Sequence, residues 1–114
     1  MHAFDVLSDP VRRRVLSLLA EQDLTSGKIV DVVGQEFGIS QSGVSQHLKV
    51  LRDNGFANVT VQGAKRLYSL DTAGLEEADR WLSAFRQFWV PKFEALATEV
   101  ARGKRNKTSR ANDS

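Results

Sequence analysis

Between Gly38 and Asp53 the chain places Ser40, Gln41, Ser42, Ser45, Gln46, Lys49 and Arg52 at spacings that gather hydrogen-bonding side chains on one side of a helix. On a helical wheel turning about 100° per residue, Val44, Leu48 and Leu51 fall within about 60° of each other, with His47 beside them. Arg52, Ser45, Lys49, Ser42, Asp53 and Gln46 occupy the opposite arc of about 120°, and Gln41 lies at its edge. A solvated helix face ordinarily favours Glu, Lys and Ala, whereas this one offers glutamines and serines near its N-terminus, the side chains that read base edges. Gln pairs bidentately with adenine in a major groove, Ser donates or accepts, and Lys49 and Arg52 can reach phosphate or guanine. A plainer reading leaves the serines as caps and the glutamines as solvated groups, so the surrounding elements must decide.

Those elements can be read from punctuation and periodicity. Asp9-Pro10 predicts a helix start, because Asp caps free amides and Pro suits the first helical position. Val11, Val15, Leu18 and Leu19 then form one apolar stripe, while Arg12, Arg13 and Arg14 fan over the remaining circumference and read as solvated surface. Residues 3–7 form a short helix with Phe4 and Leu7 on one side. After a polar break over 23–27, Ile29, Val32, Val33 and Phe37 keep helical spacing up to Gly38. Ser40 is the expected N-cap of a helix over 41–53, and Asn54-Gly55 its left-handed stop. Two short helices joined by the three residues 38–40 make a helix-turn-helix candidate, although helical hairpins serve many purposes.

Past Gly55 the period changes to two. Val59 and Val61 alternate with Asn58, Thr60 and Gln62, Gly63-Ala64 interrupts, and Lys65 to Leu70 follows, which reads as a hairpin with Lys65 and Arg66 at its tip. A helix-turn-helix followed at once by such a ribbon is the winged-helix arrangement, mainly α with about five helices plus a two-stranded wing. Cations on the wing reach flanking backbone or minor groove; alternatively they discourage edge-to-edge strand pairing. Asp71 or Thr72 caps a final long helix in which Leu75, Ala78, Leu82, Phe85, Trp89, Phe93, Leu96 and Val100 step by three and four, nearly a heptad seam. Pro91 should kink this helix or divide it.

The whole chain has 114 residues, enough for one domain, and no cysteine, which excludes a disulfide framework, thiolate metal sites and cysteine nucleophiles. Residues 1–101 are expected to form that domain. The tail over 102–114 carries Arg102, Lys104, Arg105, Lys107 and Arg110 against Asp113, a net +4 that leaves −2 for the rest, and is expected to be disordered. The basic pI of 9.2 therefore does not by itself point to nucleic acid. The local balance does: between Gly38 and Leu70, Lys49, Arg52, Lys65 and Arg66 stand against Asp53, a net +3. No apolar run approaches the roughly 18 residues of a membrane span and no signal peptide is evident, so a cytoplasmic protein without membrane attachment is expected. No glycine-rich phosphate loop, paired carboxylate or nucleophile–base spacing is present, Glu76 and Glu77 begin a solvated face, and neither catalysis nor a cofactor is expected.

Over roughly residues 3–100 the chain resembles the ArsR-type winged-helix transcriptional repressors of prokaryotes. The likeness rests on Leu7-Ser8-Asp9-Pro10-Val11-Arg12-Arg13-Arg14-Val15-Leu16, on Phe37-Gly38-Ile39-Ser40-Gln41-Ser42-Gly43-Val44-Ser45-Gln46-His47-Leu48-Lys49-Val50-Leu51, and on Gly63 through Tyr68. It implies a homodimer held by the first and last helices, here through Phe4, Leu7, Leu75, Leu82, Phe85, Trp89 and Phe93. It further implies recognition helices in successive major grooves of double-stranded DNA, with Gln41, Ser42, Ser45 and Gln46 on an inverted-repeat operator. The metal-sensing branch uses cysteines, or His and acidic clusters on the last helix. Here Cys is absent and His2 and His47 are the only histidines, so His47 reads as a structural residue and the metal-independent branch is the better match. Trp81, Phe85, Phe88 and Trp89 read first as dimer core and second as the wall of a pocket for a small-molecule effector, a protein effector being the other option. The competing function is a winged-helix interaction module that docks a protein through its aromatic last helix and does not read DNA.

Overall fold

The structure, a computed structural model, describes residues 2–90. In chain order it comprises α1 (Ala3–Leu7), α2 (Pro10–Glu21), β1 (Leu24–Thr25), α3 (Ser26–Phe37), α4 (Gln41–Asp53), β2 (Ala57–Gln62), β3 (Lys65–Leu70), α5 (Ala73–Ser83) and one 3-10 turn, Arg86–Phe88. The chain divides after Asp79 into two compact units.

In the first unit the helix starts follow the local chemistry. The Asp9 carboxylate accepts from the amides of Val11 and Arg12, with Pro10 at the first helical position. Burial raises the Asp9 pKa, but these two amide hydrogen bonds, Arg12's first, and the charges of His47 and Arg12 outweigh it and hold the carboxyl below its ordinary 3.8. Ser40 Oγ accepts from Gly43 N–H at the start of α4, and Gly55, at φ 79°, follows its end. Val6, Val15, Ile29, Val33, Val44, Leu51 and Phe56 are fully buried in one core. On α2 the stripe is Val11, Val15, Leu16 and Leu19, so Leu16 joins the core while Leu18 is only partly covered.

The expected hairpin is present, with Val59 opposite Tyr68 and Gln62 opposite Lys65. A third strand joins it: β1 pairs with β3 through Leu24–Tyr68 and Thr25–Leu67, giving the order β1-β3-β2. The sequence reading took 23–27 as a polar break because two residues cannot show a period; the strand exists only through its distant partner. Asp71 Oδ1 accepts from Ala73 N–H before α5, and Gly74 N–H donates to Gly55 O at 2.8 Å. A Cβ on Gly74 would overlap the Phe56 ring, so glycine is required where α5 crosses the core.

The second unit corrects the single long helix. α5 stops at Ser83, well before Pro91. The Ser83 hydroxyl donates to Arg80 O, and the amides that follow bond three residues back, Ala84 to Trp81 O and Phe85 to Leu82 O, so the helix tightens and ends. Within this unit Trp81 packs on Phe85 at 4.7 Å between ring centroids, and Leu82, Phe85 and Phe88 are exposed at 37%, 39% and 66%. Phe93, Leu96, Val100, the expected effect of Pro91, the end of the 1–101 domain and the tail lie outside the described residues.

Candidate nucleic-acid interface

Helix α4 is anchored on its apolar side and displayed on its polar one. Val44, Leu48 and Leu51 are buried, whereas Gln41, Ser42, Ser45, Gln46, Lys49 and Asp53 are exposed and Arg52 is half-buried. The tight connection from α3 makes this possible. Gly38 takes φ 65° as the α3 C-cap, a left-handed conformation that costs glycine little, and Ile39 N–H closes back on Gly34 O at 3.1 Å. The helix therefore starts at Ser40 with its first turn facing outward.

The predicted readers come together. Ser40, Gln41, Ser42, Ser45, Gln46 and Lys49 line one open surface recess. A smaller recess beside it is lined by Gln41, Ser45 and Ser26, Gly27, Val30 and Asp31 of α3. Within the set, Ser40 is committed: its hydroxyl caps Gly43 N–H and lies 3.1 Å from the Ser42 hydroxyl. No hydrogen bond occupies the Gln41, Ser45 or Gln46 side chains among the described residues, which leaves their donors and acceptors to solvent or a ligand.

The cations on α4 are not idle. Lys49 Nζ donates to Asp53 Oδ2 at 2.6 Å, one turn on, and Arg52 Nε lies 3.9 Å from Asp53 Oδ1. The Lys49 hydrogen bond, then the charges of Lys49 and Arg52, hold the Asp53 carboxyl below its ordinary value. Sequence reasoning placed Lys49 and Arg52 on phosphate or guanine and counted Asp53 only as an opposing charge, although Lys49 and Asp53 are spaced i, i+4, the signature of a helix-surface ion pair.

On the wing, Lys65 and Arg66 are both at the tip but on opposite faces. Lys65 stands across from Gln62 and Arg66 across from Val61, and side chains alternate along each strand. β1 reaches only as far as Leu67, so the hairpin beyond it is two-stranded. Val61, which continues the alternation of the half-buried Val59, lies past the core and is 68% exposed. Among the described residues neither Lys65 nor Arg66 forms an ion pair.

Of the arginine triplet, Arg13 is exposed as expected, whereas Arg12 is mostly covered. Arg12 and Arg13 reach back to α1, donating to Asp5 O, Val6 O and Leu7 O, and Arg14 pairs with Glu36 of α3 at 3.0 Å. Arg12 also meets His47 Nδ1 at 3.2 Å. His2 caps α1 in a reciprocal box with Asp5. No group of three or more His, Cys, Asp or Glu side chains is disposed for a metal ion among the described residues, and no helix there is long and apolar enough to cross a membrane. Of the residues expected at a dimer interface, Phe4, Leu7 and Leu75 are partly buried against the subunit's own core, Leu82 and Phe85 are exposed, Trp89 is half-buried, and Phe93 lies outside the described residues.

Comparison with known proteins agrees with this geometry. Residues 9–59 match the family described as bacterial regulatory protein, arsR family, a span holding α2 to α4 and the first residues of β2. The chain is 33% identical over 84 residues to the transcriptional repressor SdpR of Bacillus subtilis, covering 74% of this chain and 89% of that one. Among solved structures, an ArsR family transcriptional regulator, RHA00566, superposes with a TM-score of 0.65 at 24% identity over 76% of this chain and 86% of its own, a likeness of fold. A possible transcriptional regulator for arsenical resistance superposes with a TM-score of 0.62 at 29% identity, covering 87% of this chain and 96% of that one.

Proposed function

The chain belongs to the ArsR family of bacterial regulatory proteins and is a DNA-binding transcriptional regulator, and we propose that it represses as a homodimer on an inverted-repeat operator. The observation that carries this reading is the outward Gln41, Ser42, Ser45 and Gln46 face of α4, set opposite three buried aliphatic side chains. In a major groove the two glutamines and the serines have the donors and acceptors to discriminate base edges. Lys65 and Arg66, on opposite faces of the wing, contact backbone beside the helix, which adds affinity without sequence information.

Pairing is assigned to the exposed aromatic segment. Leu82, Phe85 and Phe88 present apolar area to water in one subunit, and a second copy covers it. The family resemblance gives Phe4 and Leu7 of α1 a part in pairing as well. Two subunits related by a two-fold axis then present their α4 helices to half-sites about one helical turn apart. Acting on a chromosome places the protein's work in the cytoplasm.

Selection of bound sequences from random DNA tests the whole reading. A palindromic motif is expected, and Gln41→Ala or Gln46→Ala should cost roughly 1 to 3 kcal/mol on it and relax the base preference. Unchanged affinity in both variants would refute the assignment of α4. Failure to bind any duplex even at low salt would favour instead a module that docks a protein through its exposed aromatics.

A further inference from the structure

We infer that Arg12 is a positioning residue that couples the seat of α1 to the setting of the DNA-reading helix, without touching DNA itself. Its side chain is only 13% exposed. Nε donates to Val6 O at 2.8 Å and Nη2 to Asp5 O at 3.0 Å, two carbonyls at the end of α1 that no further helical amide takes. Nη1 lies 3.2 Å from His47 Nδ1, on the inner flank of α4. A guanidinium has donors only, so this hydrogen bond forms with the neutral ring, with Nδ1 as the acceptor. Asp9 Oδ2, 4.0 Å from Nη1, supplies the opposing charge. One rigid planar group therefore bridges the last turn of α1, the first turn of α2 and the middle of α4.

The consequence follows from how α1 is held. Five residues make too short a helix to persist alone, so its seat rests on packing through Ala3, Phe4, Val6 and Leu7, on Arg13 at Leu7 O and on these Arg12 contacts, which alone also reach α4. Arg12 cannot follow a displacement of α1 without moving the donor offered to His47, because the fork has fixed geometry. His47 adjoins Gln46, so the strain is delivered to the base-reading face. Phe4 and Leu7 of α1 belong to the proposed pairing surface, and Arg12 is thus the route by which assembly of the dimer reaches the operator contacts. This inference rests on the reading of α4 given above.

The test uses the full chain, an operator duplex recovered by selection, and a scrambled duplex of equal length. R12K and H47L should each lower the operator-to-scrambled affinity ratio by about three- to thirtyfold. The salt slope should stay unchanged, since no phosphate contact is lost. The double variant should be no worse than the poorer single one, because both break the same link. H47N should restore the ratio, as its amide oxygen can stand where Nδ1 stood. Losses that add in the double variant, or a fall in affinity for both duplexes that merely tracks a lower Tm, would overturn the coupling. Q46A separates the two levels. If it costs operator affinity while R12K and H47L keep the ratio, the coupling alone is wrong; if Q46A has no effect, the reading of α4 fails and the coupling with it.

Discussion

Asp53→Asn is expected to tighten DNA binding, which is the opposite of what loss of a surface ion pair usually suggests. The carboxylate holds Lys49 at 2.6 Å and draws Arg52 to 3.9 Å, on the same exposed arc as Gln46 and Ser45. It also sits in the last turn of α4, where a negative charge opposes the helix dipole. Any phosphate approaching Lys49 must first displace Asp53 and then tolerate its charge. Neutralising it frees one cation, and each phosphate newly neutralised steepens the dependence of log K on log salt by about 0.9. If the gain vanishes near 1 M salt, one added contact is worth about eightfold in affinity at about 0.1 M. Because the contact is to backbone, the gain should be similar on operator and scrambled DNA, so the protein binds more tightly without becoming more selective. Fluorescence anisotropy across a salt series, on the wild type, Asp53→Asn and Asp53→Asn with Lys49→Ala, reads all of this. The double variant should lose the gain. An unchanged slope in Asp53→Asn, or a gain that survives removal of Lys49, would show that Lys49 does not face phosphate and that the ion pair is only a helix-surface feature.

Lys65→Ala and Arg66→Ala each remove a wing cation that has no ion-pair partner among the described residues, and each should weaken operator and scrambled DNA alike while lowering the salt slope by about one; since the two point to opposite faces, a slope change in one variant only would assign a single face of the hairpin to DNA. Leu82→Asp or Phe85→Asp should yield monomers by light scattering and abolish operator binding at the same time, because half-sites bind weakly alone; a stable dimer in both variants would move the interface elsewhere. Asp9 has a folded pKa below 3.8, so its contribution to stability is present above 3.8 and lost as pH falls through the lower folded value. Asp9→Asn keeps the cap oxygen without that titration and should flatten the acid limb of urea stability measured from pH 5 to 2, whereas Asp9→Ala should cost about 1 kcal/mol at neutral pH; an acid limb identical to wild type in Asp9→Asn would remove the cap from the acid response.

What could be read directly in the sequence is what neighbours along the chain decide. Asp9-Pro10, Ser40 and Gly38 fix helix ends through bonds that span two to four positions, and the apolar face of α4 follows from the period of its own thirteen residues. The outward exposure of the polar face follows from the same period. The misreadings share a different cause. β1 is two residues that become a strand only because Tyr68 and Leu67, more than forty residues away, offer a ladder. Arg12 looked like solvated charge because its acceptors are carbonyls and a histidine thirty-five positions on, and no periodicity records a carbonyl.

The end of α5 was hidden differently. The seam of apolar residues continues across Ser83 without interruption, so the hydrophobic pattern asks for helix where the backbone shifts to three-residue bonds. A pattern of apolar spacing reports where a face can be buried, and says less about whether the backbone between those residues stays helical in a single subunit. Phe85 is the first seam residue past the end of α5, and it is left exposed together with Leu82 just before that end. If a second copy supplies the missing burial, the same covering that makes the dimer should restore helical bonding past Ser83. Far-ultraviolet circular dichroism across a dilution series would then show helix content rising with the dimer fraction in the wild type and staying flat in Leu82→Asp.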